Sequence, residues 1–390
     1  MIYFSAVGML NALGHTLDEI AHNLVHGRAP GMRQEHHWLT PAAPCWVGHV
    51  DETLPPVPLH LAAHNSRNNQ LLLAALAQIR PQVDEAIACY GRARVAVVLG
   101  TSTSGLDEGD AQVSAVLAGK RCANYHYYQQ ELGDPSRFLS ALLSLNGPAY
   151  TLSTACSSSA RALISGRRLI TAGLADAAIV GGADSLSRMP INGFHSLASL
   201  SDELCQPFSR TRRGISIGEG AALMLLTKEP QPVALLGVGE SSYAWHMSAP
   251  DPSGSGAIRA INMALADAAL TAADIGYINL HGTGTHLNDQ IESQVVHQLF
   301  GNQVPCSSTK HLTGHMLGAA GAGEAALCWL LLTRALPLPA QNFSYCEPDP
   351  ALPEFGLLRT PTALVRPVIL SSSFAFGGNN ACLILGIKNG

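Results

Sequence analysis

The chain has 390 residues, 47% of them apolar and only 13% charged, with a net charge of −5. That is enough apolar material for one large α/β unit or for two to three ordinary domains. The negative balance and the lack of a dense basic run exclude a general nucleic-acid binder. No stretch approaches 18 uninterrupted apolar residues, so no membrane span is expected.

Residues 2–9 read as a first strand, with no basic segment that would make them a signal peptide. Residues 16–27 read as an amphipathic helix. Residues 28–60, rich in Pro and His, read as an irregular excursion; Glu35, His36 and His37 lack the HExxH spacing of a metal site. Leu71, Leu72, Ala75, Leu76 and Ile79 recur at helical spacing and predict a helix over 65–79. The run 94–100 is rich in β-branched residues, as a buried parallel strand is, and a helix near 107–118 follows. The aromatic segment 124–130 reads as irregular, with a further helix near 135–146.

Next comes Tyr150–Arg161, around which the chain is organised. A strand-like run ends in small residues, then Cys156, three serines and a helical pattern. This places a thiol at a helix N-terminus, where unpaired N–H groups and the helix dipole favour thiolate.

Residues 175–180 read as a buried strand, and 190–215 as a long loop carrying Arg210, Arg212 and Arg213. Strands are predicted at 221–227 and 233–238, and a helix at 255–269. A strand at 275–280 runs into His281-Gly282-Thr283-Gly284-Thr285. A helix at 288–300, a short strand at 304–308, a helix at 321–335 and strands at 368–373 and 381–385 complete the chain. The alternation predicts a largely parallel α/β sheet covered by helices. His281, at the C-terminal end of a buried strand, then points into the cleft where such sheets place ligands. Lys310 and His315 offer a second histidine and a cation five residues apart. The turn 374–380 carries two glycines whose backbone N–H groups could line an oxyanion site. The glycine-rich run 314–323 lacks the spacing of a phosphate cradle.

Nine cysteines stand singly, none in a CxxC pair. This points to reduced thiols in a cytoplasmic protein rather than to a disulfide framework or zinc site.

In this order, the motifs TACSSSA (154–160), GEGAA (218–222), HGTGT with Asn288 and Asp289, STKxxTGHxLGAAGAxE (308–324) and SFxFGG (373–378) resemble those of the elongating β-ketoacyl-acyl carrier protein synthases of the thiolase superfamily. The resemblance spans about residues 150–380. It implies a five-layer αβαβα sandwich of two similar halves, with the nucleophile in residues 1–240 and both catalytic histidines in 241–390. It also implies decarboxylative Claisen condensation of an acyl-enzyme thioester with malonyl-acyl carrier protein, in fatty acid or polyene/polyketide elongation.

By the same resemblance Cys156 accepts the acyl group, and His281 and His315 complete a Cys-His-His set. Lys310 supports the histidines and Glu324 organises them. Backbone N–H groups of Cys156 and Phe376 form an oxyanion hole, and Phe376 is the gate. Thr283 and Thr285 contact the phosphopantetheine arm that carries the substrates. Neither a metal nor a separate cofactor is implied. The partner is an acidic carrier protein, for which Arg67, Arg210, Arg212 and Arg213 are candidate docking cations. Family members dimerise through the sheet of the first half, here with a second copy or with a ketosynthase-like paralogue. The alternative is a mainly structural subunit of a ketosynthase/chain-length-factor heterodimer, against which the intact Cys156, His281, His315 and Lys310 speak.

Some positions depart from the family pattern. Ala375 replaces the glycine before the gate and should restrict it. Thr211 and Arg213 stand where carboxylates are usual beside the entrance. Tyr243 and Trp245 stand where Asp and Tyr are usual. These changes suggest an acyl pocket altered for unsaturated or aromatic chains.

Overall fold

The computed structural model describes residues 1–122 and 124–387. The first half contains β1 (Tyr3–Leu10), α1 (Leu17–Val25), β2 (Met32–Glu35), β3 (Cys45–Gly48), α2 (Arg67–Tyr90), β4 (Val95–Gly100), α3 (Leu106–Leu117), α4 (Asp134–Leu142), β5 (Ala149–Leu152), α5 (Ser158–Thr171), β6 (Ala177–Asp184), α6 (Arg188–Ser196), β7 (Ile217–Gly218) and β8 (Gly220–Thr227). The second contains β9 (Val233–Ser242), α7 (Ser255–Ala268), β10 (Tyr277–Asn279), α8 (His286–Phe300), β11 (Cys306–Ser307), α9 (Lys310–Thr313), α10 (Ala320–Arg334), β12 (Val368–Phe374) and β13 (Asn379–Ile387).

The strands form two matching sets of five, ordered β5-β4-β6-β8-β1 and β11-β10-β12-β13-β9. In each set the first three strands pair in parallel, the fourth (β8 or β13) runs against them, and the last (β1 or β9) pairs antiparallel to the fourth and so points the same way as the first three. Four of the five strands in each set thus share one direction, with β8 and β13 reversed. They join where Tyr3 pairs with Ala234. The expected division at residue 240 falls inside β9; strand pairing changes over at 228–232. Helices α5 and α10 lie between the sheets, α2 and α4 cover one outer face, and α7 and α8 cover the other. This is the five-layer thiolase-like sandwich.

The central layer explains its own sequence. A helix packed on both sides is apolar all round, and α10 exposes almost none of its residues (AGAGEAALCWLLLTR). Close approach needs small residues. A Cβ on Gly166 of α5 would meet Val180 Cγ1 at 2.3 Å, and one on Gly321 of α10 would meet Ala160 at 2.7 Å. Likewise β4, β6 and β8 are buried along their whole length, as continuous apolar runs require.

Three local expectations change. Residues 28–60 are not wholly irregular: β2 and β3 pair, and β7 joins them in a small three-stranded sheet. Residues 190–215 open with α6, whose one buried side chain, Ile191, leaves almost no periodic signal. The helix expected over 65–79 continues to Tyr90 through Pro81, because Val83 and Ala86 still have a sheet to bury against.

Candidate active site

Cys156 sits in a sharp turn between β5 and α5. Ala155 takes the left-handed conformation (φ 51), which a residue with a Cβ adopts only where its surroundings hold it there. Here Ser158 Oγ donates to Ala155 O (2.5 Å) and accepts from Thr154 N–H (2.9 Å). A Cβ on Gly100, at the end of β4, would meet Ser159 N at 2.3 Å, so the helix start is seated directly on the sheet. The thiol is 5% exposed. Backbone N–H groups of Phe376 and of Cys156 itself face its sulfur.

His315 Nε2 lies 3.1 Å from Cys156 Sγ. Its other nitrogen, Nδ1, accepts the Leu317 N–H (3.1 Å). A neutral imidazole that accepts at Nδ1 carries its proton on Nε2. His315 is therefore a hydrogen-bond donor to the sulfur, not its base. Burial pushes the thiol up to about 11, against the pull of Lys310 and the two N–H groups. The resting sulfur is thus a thiol, and burial overrides the preference for thiolate read from the helix end. The donors around it are placed for the charge that develops when the proton leaves.

His281 follows β10, and its ring stands 5.5 Å from that of His315 at 88°. Burial first, then Lys310, hold both imidazoles well below their ordinary range, so both are neutral. One donor atom from each of Cys156, His281 and His315 lies within 4.8 Å of the others. That trio also resembles the three protein ligands of a zinc site. It does not fit one, because the Leu317 N–H fixes the Nε2 proton of His315 and leaves no lone pair there for a cation.

Lys310 is buried. Its Nζ donates to His281 O and to Glu324 Oε1, both at 2.5 Å. Burial pushes the Glu324 carboxyl up, and Lys310 pulls it back. Three further buried acids hold the site and were not singled out as site residues. Glu292 accepts the N–H groups of His281 (2.6 Å) and Gly282 (2.7 Å). Asp289 accepts those of Phe208 (2.7 Å) and Gly284 (3.2 Å). Asp184 accepts from Thr101 Oγ1 (2.7 Å), from Ser102 and Thr103 N–H (2.8 Å each) and from Ala319 N–H (3.1 Å). The sequence signal for the first two was Asn288, Asp289 and Glu292 at helical spacing on one face of α8. For Asp184 it was an acid closing a fully apolar strand.

A cleft of about 290 Å³ leads out from Cys156, His281 and His315, past Thr283, Thr285 and Phe376. The Thr283 and Thr285 hydroxyls are 2.9 Å apart. The Phe376 ring packs 5.4 Å from Phe194. Ala375 is extended (φ −99, ψ 152), a conformation open to any residue, so the restriction expected from the missing glycine does not arise in this state. Positive φ is confined to Gly377 (79) and Gly378 (78).

The four arginines separate. Arg67 grips the buried Glu219 through Nε (2.8 Å) and Nη2 (2.5 Å). Arg212 is 4% exposed and bound to Asp349 (2.6 Å) and Ser209 O (2.8 Å). Arg212 is thus buried within its own ion pair, whereas Arg67, whose side chain is 37% exposed, is committed to Glu219. Arg210 is exposed, and Arg213 lines the cleft mouth beside Asp202 (3.0 Å).

Comparison with known proteins places this geometry. The family model for the β-ketoacyl synthase N-terminal domain matches residues 69–231, and that for the C-terminal domain matches 234–344. Nodulation protein E of Rhizobium sp. (strain N33) is 31% identical, with 98% of each chain covered. The 3-oxoacyl-[acyl-carrier-protein] synthase 2 of Vibrio harveyi is 29% identical over 98% of this chain and 97% of that one. Among solved structures, a chain of the ketosynthase (ApeO) in complex with its chain length factor (ApeC) from Xenorhabdus doucetiae superposes with a TM-score of 0.98 at 66% identity, covering 99% of this chain and 98% of that one. A β-ketoacyl synthase from Burkholderia phymatum STM815 gives 0.88 at 28%, covering 100% and 99%. With both halves matched and a cysteine facing two histidines in the cleft, the chain belongs to the β-ketoacyl synthase family.

Proposed function

We propose that this chain is the catalytically competent ketosynthase of a two-subunit condensing enzyme, extending acyl chains delivered on acyl carrier protein. The observation that carries the reading is the contact between His315 Nε2–H and the Cys156 sulfur at 3.1 Å. A purely structural subunit has no need of a donor aimed at a thiol.

In the first half-reaction the Cys156 sulfur bonds to the thioester carbonyl carbon. The carrier's C–S bond breaks, and the departing thiolate takes up the proton that Cys156 gives up. The Cys156 and Phe376 N–H groups hold the transient oxyanion. In the second, the malonyl group loses CO2. Neutral His281 and His315 donate N–H bonds to the enolate oxygen that forms. The enolate carbon attacks the acyl carbonyl, the Sγ–C bond breaks, and the departing Cys156 thiolate takes a proton from solvent. Lys310 is paired with Glu324 beside the two imidazoles, which burial first and then Lys310 keep neutral and therefore able to donate. The substrates arrive on a phosphopantetheine arm lying past Thr283 and Thr285, and no separate cofactor is needed.

Arg210 and Arg213 supply the cations for an acidic carrier. Leu197 (50% exposed) and Leu287 (51%) add an apolar rim to the same cleft. The second subunit is read from the ApeO–ApeC complex, whose name states such a pairing. The nine cysteines are all free in the structure, which fits a reducing cytoplasm. No helix among the described residues is long and apolar enough to cross a membrane.

The test is intact-protein mass spectrometry with a panel of saturated, polyenyl and aryl acyl-carrier proteins, alone and with a co-expressed paralogue. Acyl mass on the wild type and none on Cys156→Ala supports the reading, and the best donor names the acyl class. No acyl mass with any donor, even with the paralogue present, would establish the structural-subunit reading instead.

A further inference from the structure

We propose that Glu219, held by Arg67 and His49, is a positioning residue for His315, acting through the small three-stranded sheet. The inference rests on the reading of Cys156 and His315 as the reacting pair.

Strand β7 is two residues long, yet it grips the catalytic segment from both sides. His315 N–H donates to Ser216 O (2.7 Å), and Gly218 N–H donates to His315 O (3.0 Å). The backbone of His315 is thus a rung of the small sheet. The approach is backbone on backbone. A Cβ on Gly218 would lie 2.2 Å from Thr313 O, and one on Gly48 of β3 would lie 2.7 Å from the same oxygen. A strand this short has too few ladder bonds to fix its own place.

The next residue, Glu219, provides the anchor. Its carboxylate is fully buried and collects donors from three separate segments: Arg67 at 2.8 and 2.5 Å, Val50 N–H at 3.1 Å and Leu186 N–H at 3.2 Å. Its own N–H donates to Gly48 O (2.9 Å), tying β7 to β3. His49 extends the set outward. Its Nδ1 is 3.6 Å from Glu219 Oε1, and its Nε2 is 2.9 Å from Glu35 Oε1. Glu35 in turn meets Arg33 at 2.8 Å, His37 at 3.5 Å and Trp38 Nε1 at 2.7 Å. Acidic and basic side chains therefore alternate from Glu35 at the rim, through His49 and Glu219, to Arg67. Glu219 is the member next to the rung that carries His315. Nothing in this set touches the reacting atoms. Its effect is on where His315 Nε2 stands, and a displacement of about 1 Å there is enough to cost on the order of a hundredfold in rate.

The experiment compares wild type with Glu219→Gln, Glu219→Asp and His49→Gln, each co-expressed with the paralogue. Three quantities are read: thermal midpoint, kcat and KM for condensation, and the pH profile of Cys156 alkylation by iodoacetamide. Glu219→Gln should lower kcat at least about tenfold with KM within about twofold, as loss of a transition-state-only contact does. It should also move the alkylation midpoint upward, because the Nε2–H donor no longer faces the sulfur. His49→Gln should shift both in the same direction by less, and Glu219→Asp should partly restore them. A lowered thermal midpoint with an unmoved alkylation profile would overturn the proposal in favour of a merely structural role. So would folded variants with wild-type kcat. If Glu219→Gln does not fold, His49→Gln decides by the same two criteria. Failure of the underlying reading looks different: wild type itself would then take no acyl mass.

Discussion

At Cys156 and His315 the direction of one hydrogen bond decides the chemistry. Because Leu317 N–H occupies Nδ1, His315 points a proton at the sulfur. Nucleophilicity then comes from stabilising charge on sulfur as it appears, not from a standing thiolate. Alkylation of Cys156 by iodoacetamide should accordingly keep rising with pH until about 11, the value to which burial pushes the thiol. A plateau near neutrality would contradict this. His315→Ala should raise that midpoint further and slow condensation by roughly 10² to 10³, the usual cost of one preorganised donor. Lys310 makes a separate prediction. Removing it strands the buried Glu324, a change worth about 3–5 kcal/mol when a buried ion pair is broken. Lys310→Ala should therefore shift the urea midpoint strongly, and adding Glu324→Ala should recover part of the loss. A double-variant loss equal to the sum of the two single-variant losses would show that the pair is not coupled. These residues were legible because motif and role coincide in sequence. Glu292, Asp184 and Glu219 were not, because each acts on backbone N–H groups 10 to 169 positions away.

Among the elements, the HGTGT loop and the gate loop each depend on one fixing device. Glu292 on α8 receives the His281 and Gly282 N–H groups, and burial pushes its carboxyl up to about 7 from an ordinary 4.5. A carboxyl raised on folding contributes stability that is present below 4.5 and lost as pH rises through 7, amounting to about 3 kcal/mol at 1.36 kcal/mol per unit. Glu219 has the opposite sign. Arg67 and His49, against burial, hold it at about 2, so its contribution is present above 4.5 and lost as pH falls through 2. Urea titrations across pH should show Glu292→Gln flattening the limb between 4.5 and 7, and Glu219→Gln flattening the limb below 4.5; exchanged or absent effects would refute the assignment. The gate loop is tied to residues 243–247 by Gly377 N–H to Met247 O (2.9 Å) and Tyr243 N–H to Gly378 O (3.2 Å). A Cβ on Gly378 would lie 2.2 Å from Tyr243 O. Gly378→Ala should therefore displace Phe376 and slow acyl loading at least about tenfold, whereas Ala375→Gly should load at nearly the wild-type rate; equal rates for both would place the gate elsewhere. Long apolar elements such as α10 and the fully apolar strands could be read from the chain. Strands β2, β3 and β7 could not, because two to four residues carry no period and their pairing is decided by contacts far away in sequence.

The whole molecule is one arrangement used twice. Each half sets four strands of one direction around a single reversed one, and in each a helix of the central layer follows the third-position strand on the edge: α5 after β5, α10 after β11. Cys156 and His315 sit in these two equivalent connections, so the pseudo-symmetry of the sheets is what brings a residue of each half to the shared cleft. No repeat is visible in the residues themselves, since the matched positions hold different chemistry. The symmetry also leaves one edge uneven. Among the described residues, β5 ends the ten-stranded sheet and pairs with β4 alone. In α3 only Gly109 is buried, while Val113 (58% exposed), Val116 (55%) and Leu117 (85%) face outward, and the neighbouring turn adds Tyr127 (58%). An apolar helix face of this kind, like a sheet edge with one side open, is a surface for another chain, and the low charged fraction of the sequence agrees. The wild type should therefore elute at about twice the 41.0 kDa chain mass, with itself or with the paralogue, in multi-angle light scattering. Val113→Glu combined with Leu117→Glu should return it to a single chain while leaving the thermal midpoint within a few degrees, because neither side chain is part of the core. A wild-type protein that scatters as one chain, with or without the paralogue, would remove the two-subunit enzyme from consideration and leave the cleft complete within one chain.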